Sequence, residues 1–256
     1  MHNYTYDEII KALQTTGVKQ GDNVFCHANL GFFGKLENAQ TSDDYCKCFK
    51  NAFLDVIGPE GTLICPAFSY SFCRKEIFNP EKTQSTCGSF SEYIRKDKDS
   101  MRSYDANFSI CAIGKNAQFF TQNPPEHSFG PDSFFDRFYK KNGVFCNLNF
   151  DSGSTFIHYV EKTLKVPYRW DKAFDGILEI KNRQFNKRFY HFVCSLQNDS
   201  HTADFSKFDK LAKKSGLAKT ANLGKGQIVY ISAYDTYNLI KKEIEKTPNL
   251  LIKGEI

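Results

Sequence analysis

The stretch Asp151-Ser152-Gly153-Ser154-Thr155-Phe156-Ile157-His158-Tyr159-Val160-Glu161 sets an alcohol, an imidazole and a carboxylate three residues apart, at Thr155, His158 and Glu161. On a helix that spacing puts all three on one face. Imidazole is the side chain best matched to proton transfer near neutral pH, and a neighbouring carboxylate can orient it. Asp151 and Ser152 stand just ahead of the helix, where oxygen acceptors satisfy orphan N–H groups. The positive end of the helix dipole favours neutral imidazole there. Read as chemistry, the stretch is a general base with its orienting acid. Read as structure, it is a capping Ser/Thr followed by a packed His.

A second stretch, Asn23-Val24-Phe25-Cys26-His27-Ala28-Asn29-Leu30-Gly31-Phe32-Phe33-Gly34, reads as a strand that ends in a polar loop with glycine. Ligands of open α/β sheets bind at such carboxyl ends. Backbone N–H groups there can hold a pyrophosphate, although the loop is neither Walker A nor Gly-x-Gly-x-x-Gly. His27 suits a structural hydrogen bond as well as a ligand contact. In Arg102-Ser103-Tyr104-Asp105-Ala106-Asn107-Phe108-Ser109, Arg102 can grip a phosphate, or the segment is a loop whose Asp and Asn make turns. Gly224-Lys225-Gly226-Gln227 reads as a turn, with no strand running into it and no Ser/Thr after the Lys.

Elements that alternate strand, loop, helix and strand must position these groups, which is the order of an α/β protein. Helices are expected at Thr5–Thr15, Ser42–Ile57 with Ser42 as N-cap and Gly58 as stop, Ser89–Arg95, Ser133–Lys140, Ser154–Leu164, Phe205–Ser215 and Ala233–Thr247. Strands are expected at Asn23–His27, Thr62–Ala67, Phe108–Gly114, Gly143–Asn149 and Gln227–Ser232. The alternating runs Gly176–Ile180 and Arg188–Val193 predict an antiparallel hairpin turning between Asn182 and Asn186. The irregular aromatic segment Ser69–Gln84 is long enough for a functional surface or lid. No repeat or linker divides the chain, so residues 1–256 are expected to form one αβα-type domain with a mixed central sheet and an additional hairpin.

Hydrophobic residues make up 41% of the chain, enough to rule out a disordered one. A net charge of +5 is a mild bias toward anionic partners and not a nucleic-acid footprint. The 25 Phe are set aside as a functional signal. Of nine Cys, most lie in apolar runs, as at Cys26, Cys65 and Cys146, and act as small hydrophobes. Cys46-Lys47-Cys48 lacks a second ligand pair, so no metal is expected. Free thiols, no signal-peptide pattern at Met1–Asp7 and no run of 18 apolar residues predict a cytoplasmic protein without a membrane span.

Taken together, the motifs resemble those of the aminoglycoside 3-N-acetyltransferase family, distinct from the GNAT acetyltransferases. The resemblance runs from about Gly17 to Gly216. Gly17–Asp22 with His27-Ala28-Asn29-Leu30 stands where members show Gly-x-x-x-Gly-Asp and His-Ser-Ser-Leu. Gly58-Pro59-Glu60-Gly61-Thr62-Leu63-Ile64-Cys65-Pro66 matches a Gly-Pro-x-Gly-Thr-Leu-x-x-Pro stretch. Arg102–Ser109, Gly130–Phe134 and Asp151–Glu161 follow in the family's order, and Asp204-Phe205 resembles a late Asp-Phe pair. Ala28 and Asn29 replace two serines, Asp105-Ala106 replaces His-Pro, and Asn123 stands where members often carry His.

The resemblance implies acetyl transfer from acetyl-CoA to the amino group of a sugar ring, with no metal. It implies His158 as base, oriented by Glu161 or Asp204. It places acetyl-CoA on His27, Ala28, Asn29, Leu30, Gly31, Arg102, Ser103 and Thr155, with the loop Ala28–Gly31 supplying oxyanion donors. An acetyl-Cys route through Cys26 is disfavoured, because Cys26 alternates to the face opposite His27. The basic charge and the segment Phe68–Lys75 favour an anionic acceptor, a nucleotide-linked amino sugar held by Tyr70, Arg74, Lys75, Asp105 and Asp151. A free aminoglycoside is the alternative. Outside catalysis, the rival is a CoA or nucleotide binder in which His158 is structural; a Ser/Cys hydrolase would need a Gly-x-Ser-x-Gly elbow, which is missing from the chain.

Overall fold

The structure is a computed structural model describing residues 2–195, 197 and 199–254. Helix α1 (Tyr6–Thr16) opens at Thr5, whose hydroxyl accepts from the Glu8 N–H while the Glu8 carboxylate accepts from the Thr5 N–H. Strand β1 (Asn23–Phe25) follows, then α2 (Ser42–Ile57). The cap of α2 is Thr41 and not Ser42, because Thr41 is the residue whose hydroxyl reaches the Asp44 N–H and whose own N–H meets the Asp44 carboxylate. Gly58 ends α2 at φ 64°, in the left-handed region that glycine enters without strain.

Next come β2 (Thr62–Pro66), α3 (Ser89–Lys96), β3 (Met101–Arg102), β4 (Ile110–Gly114), α4 (Ala117–Thr121), α5 (Phe134–Lys140), β5 (Val144–Leu148) and α6 (Ile157–Thr163). The chain then forms β6 (Trp170–Ile180), β7 (Arg183–Val193), α7 (Ser206–Lys214), β8 (Lys219–Leu223), β9 (Gly226–Ser232) and α8 (Ala233–Glu243).

Seven strands make a mixed sheet in the order β3-β4-β2-β1-β5-β9-β8, with β1 parallel to β2 and β5 and the remaining pairs antiparallel. Alternation along each strand feeds two cores. Phe25, Ile64 and Phe145 face α4 to α8, where phenylalanines such as Phe120, Phe135 and Phe138 fill the layer. Val24, Leu63 and Val144 face α1, α2 and α3. On that second face Cys65 pairs with Cys111, and continuing the β1 register brings Cys26 beside Cys65 and Cys146. Four thiols thus cross four adjacent strands in one fully buried row.

The hairpin β6–β7 is longer than its apolar runs. Lys181 and Asn182, at φ 48° and 60°, form the two-residue turn, and Arg183 already pairs with Ile180. Residues 183–187, mostly polar apart from Phe185, are exposed strand and not loop. The hairpin is held at both edges. Phe78 N–H donates to Ile177 O at 2.9 Å and Glu179 N–H to Phe78 O at 2.8 Å; on the other edge, Tyr190 N–H donates to Glu126 O at 2.7 Å and Ser128 N–H to Tyr190 O at 3.2 Å. Gly176 lies so close to Phe72 that a Cβ would stand 2.4 Å from Cδ1.

Two further expectations change. Strand β8, a polar sheet edge, does run into Gly224, so Gly224-Lys225 closes a β8–β9 hairpin and the Lys225 N–H donates to Phe33 O. Helix α6 starts at Ile157 and not Ser154, because residues 157, 158 and 159 donate three residues back, to Ser154, Thr155 and Phe156. No helix among the described residues is long and apolar enough to cross a membrane.

Candidate active site

His158 lies in the first turn of α6 and Glu161 one turn on. His158 Nδ1 is 2.6 Å from Glu161 Oε2. The other oxygen, Oε1, accepts from Tyr168 Oη at 3.0 Å, and Arg169 Nε stands 2.9 Å from Oε2 without the angle of a hydrogen bond. Glu161 is wholly buried. Burial pushes its pKa up, but the His158 hydrogen bond and the Arg169 charge outweigh it and hold the carboxyl below its ordinary value. An ionised acceptor on Nδ1 fixes the proton there, which leaves Nε2 as the basic nitrogen. Among the described residues Nε2 meets no hydrogen-bonding group. The ring is edged by Phe129 at 5.6 Å and Phe205 at 5.7 Å.

The Asp204-Phe205 pair therefore reaches the imidazole through Phe205. Asp204, expected as an alternative orienting acid, accepts from the Ser206 N–H. The loop ahead of α6 is tied down elsewhere too. Asp151 accepts from the Gly153 N–H, and Ser152 Oγ donates to Asp209 Oδ1. Neither caps α6, since the helix starts later than they could reach. Thr155 sits in the tight turn and offers its carbonyl to the His158 N–H.

The carboxyl ends of β1 and β5 come together through Asn147. Its Nδ2 donates to Asp151 O and Gly153 O, so its Oδ1 faces His27 Nδ1 at 3.2 Å and receives that proton. Burial holds His27 down at about 4, only partly offset by this bond, so its imidazole is neutral. Asn29 N–H donates to Leu148 O, which removes one donor from the Ala28–Gly31 loop. Leu30 opens a short 3-10 turn to Phe33. Nothing lies within 4 Å of a Cβ built on Gly31. Phe32 is 66% and Phe150 48% exposed beside it.

Arg102 is not free for a phosphate. Its guanidinium donates to Ser109 Oγ and to the carbonyls of Pro80, Thr83 and Ala67, stapling three segments of chain. Ser103 is spent on Ile110. Asp105 is buried, accepts from the Asn107 and Phe108 N–H groups in a turn, and has its pKa raised by burial. It is structural. Arg74 pairs with Glu76 on the surface, and Lys75 ends a 3-10 turn in the left-handed conformation. Tyr70 alone of that group faces the interior, its ring 6.3 Å from His191. Asn123 lines a 920 Å³ cleft under the hairpin tip, with Met101, Tyr104 and Phe185, and His158 is not among the residues of that cleft.

Four groups escaped the sequence reading. Tyr168 and Arg169 follow Pro167 in an apparently ordinary linker. Asn147 had a signal, a polar residue inside the apolar strand Val-Phe-Cys-Asn-Leu. His191 had one too, an imidazole on the inward register of a hairpin strand. Cys26 is fully buried on the opposite face and burial drives its thiol pKa far up, which removes it as a nucleophile. Among the described residues no cluster of His, Cys, Asp or Glu has metal-binding form.

The model of the aminoglycoside 3-N-acetyltransferase family matches residues 25–245. The fold is that of aminoglycoside acetyltransferase AAC(3)-Xa, at TM-score 0.81 and 19% identity over 94% of this chain and 93% of that one. AAC-IIIb, solved as a binary complex with CoASH, gives TM-score 0.79 at 18% identity, covering 94% and 96%. AAC-VIa with bound sisomicin gives 0.80 at 18%, covering 95% and 98%. No curated protein sequence matches the chain.

Proposed function

We infer, for a chain that belongs to the aminoglycoside 3-N-acetyltransferase family and is thus an N-acetyltransferase, that it acetylates an amine of an aminoglycoside-type acceptor from acetyl-CoA. The observation that carries the reading is His158, with Nδ1 bound to a buried anionic carboxylate at 2.6 Å and Nε2 unpaired among the described residues. Acetyl-CoA supplies the thioester whose acetyl group moves. His158 Nε2 takes the proton that the amine releases as it attacks, and returns it to the departing sulfur. Glu161 stabilises the imidazolium in between. Thr155 positions His158 through its carbonyl.

The carboxyl ends of β1 and β5 suit an acyl-CoA arm. Gly31 leaves open space, Phe32 and Phe150 offer apolar faces, and His27 adds a neutral imidazole. Ala28, Leu30 and Gly31 are the remaining candidates for oxyanion donors, Asn29 being engaged.

The acceptor follows from what is missing at the site. The nucleotide-linked reading needed cationic grips for a diphosphate. Of the two cations assigned to it, Arg74 is paired with Glu76 on the surface and Lys75 caps the short turn beside it. With those grips gone, a polyamine sugar is the better acceptor. Thiol release from acetyl-CoA, measured with aminoglycosides and with nucleotide-linked amino sugars, tests this. Aminoglycosides should show the higher kcat/KM. A nucleotide-linked sugar that outpaces all of them overturns the acceptor, and binding of acetyl-CoA without release to any amine overturns catalysis.

A further inference from the structure

Across Phe129 from His158 stands a second imidazole that the transfer step leaves unused. His191 sits on the inner face of β7, half-buried, with Phe108 at 4.5 Å, Phe174 at 6.0 Å and Tyr70 and Phe129 each at 6.3 Å, ring to ring. Phe129 also touches His158, so one ring separates the two imidazoles. The difference between them is chemical. His158 has a carboxylate on Nδ1. His191 has none, and its Nδ1 lies 3.9 Å from the Cys73 thiol.

Burial, with the positive charges of Arg169 and Lys172, holds His191 down at about 3. It stays neutral at any working pH, so it serves as a hydrogen-bonding group and not as a base. Among the described residues its Nε2 has no hydrogen-bond partner. Arg169 and Lys172 oppose an ammonium at this spot. The group that suits a neutral imidazole between aromatic walls is an uncharged donor, and on a sugar that is a hydroxyl.

We propose that His191 is an acceptor-specificity residue, receiving one sugar hydroxyl and thereby holding the neighbouring amine at His158. The proposal rests on the aminoglycoside reading above. It adds a polar contact inside an apolar wall, where losing the partner leaves a buried group unpaired.

The test uses kanamycin B and derivatives that each lack one hydroxyl, with His191→Phe and His191→Gln. His191→Phe should raise KM for kanamycin B about tenfold, the worth of one such bond, and leave KM for acetyl-CoA unchanged. For the derivative lacking the hydroxyl that is read, wild type and His191→Phe should bind alike. His191→Gln should recover part of the loss. On the wild type, kanamycin B should slow maleimide labelling of Cys73 and leave Cys48, Cys87 and Cys194 unaffected. An equal penalty on every derivative overturns the proposal, as does unprotected Cys73. Calorimetric binding of the same series separates the two readings, because a hydroxyl read by His191 shows in affinity even if no acetyl group is transferred.

Discussion

Glu161 binds Nδ1 of His158 at 2.6 Å from a position with no exposure to solvent, and its other oxygen is closed off by Tyr168. The carboxylate therefore acts on the imidazole and on nothing outside. His158→Ala should lower kcat by roughly 10²–10⁴ with the fold intact, while Asp204→Asn should change kcat by less than about twofold, its carboxylate serving only a turn. Steady-state kinetics with melting curves check both. A folded His158→Ala that turns over normally sinks the assignment.

Glu161→Gln should be the costlier substitution for stability. It leaves Arg169 buried beside a neutral group, and breaking such a pair from one side costs about 3–5 kcal/mol. Urea midpoints should fall accordingly, and Glu161→Gln/Arg169→Met should regain part of the loss. Equal stability of wild type and Glu161→Gln would show that Arg169 finds other partners.

Arg102→Met should behave as a structural lesion. Four donated bonds to a hydroxyl and three carbonyls are lost, each worth about 1.5–3 kcal/mol when the donor is charged. Surviving folded protein should keep its KM for acetyl-CoA. A raised KM at unchanged melting temperature would restore the phosphate-binding role expected from sequence.

Acid stability follows from two imidazoles. Burial lowers His27 to about 4 and His191 to about 3, against an ordinary value near 6.5. A group lowered in the folded state stabilises it fully above the unfolded value and ceases to as pH falls toward the folded one. Melting temperature should therefore decline from about pH 6.5 downward, with about two extra protons bound on unfolding. His27→Gln and His191→Gln should each flatten the slope. A melting temperature that is level between pH 7 and 4 contradicts the burial of both rings.

Gly176→Ala should lift β6 from Phe72, since a Cβ there has 2.4 Å and needs more than 3 Å. Because β7 carries His191 on the same hairpin, acceptor KM should rise more than the melting temperature falls. Hydrogen exchange in 170–193 reads the displacement. Unchanged exchange with unchanged KM would mean that Phe72 moves aside.

What could be read from the sequence was what depends on local pattern. The helical stripes of α1 and α2 and the spacing of His158 and Glu161 are set within a few residues, and they appear in the fold as written. What could not be read was decided by contacts across the chain. Arg102 looks like an anion grip until Pro80, Thr83 and Ala67 aim their carbonyls at it. Asp204 looks like an orienting acid until Phe205 turns inward. Residues 183–187 look like a loop because pairing to 176–180 is satisfied by backbone alone, which leaves no imprint on side-chain polarity.

The row of Cys26, Cys65, Cys111 and Cys146 makes the molecule its own clock. The four thiols are shut off together beneath α1, α2 and α3, so a disulfide-exchange dye meets them only when the sheet comes apart. The colour that develops slowly, after the half-exposed Cys48, Cys73, Cys87 and Cys194 have reacted, times the opening of the whole fold with no cysteine added to the chain.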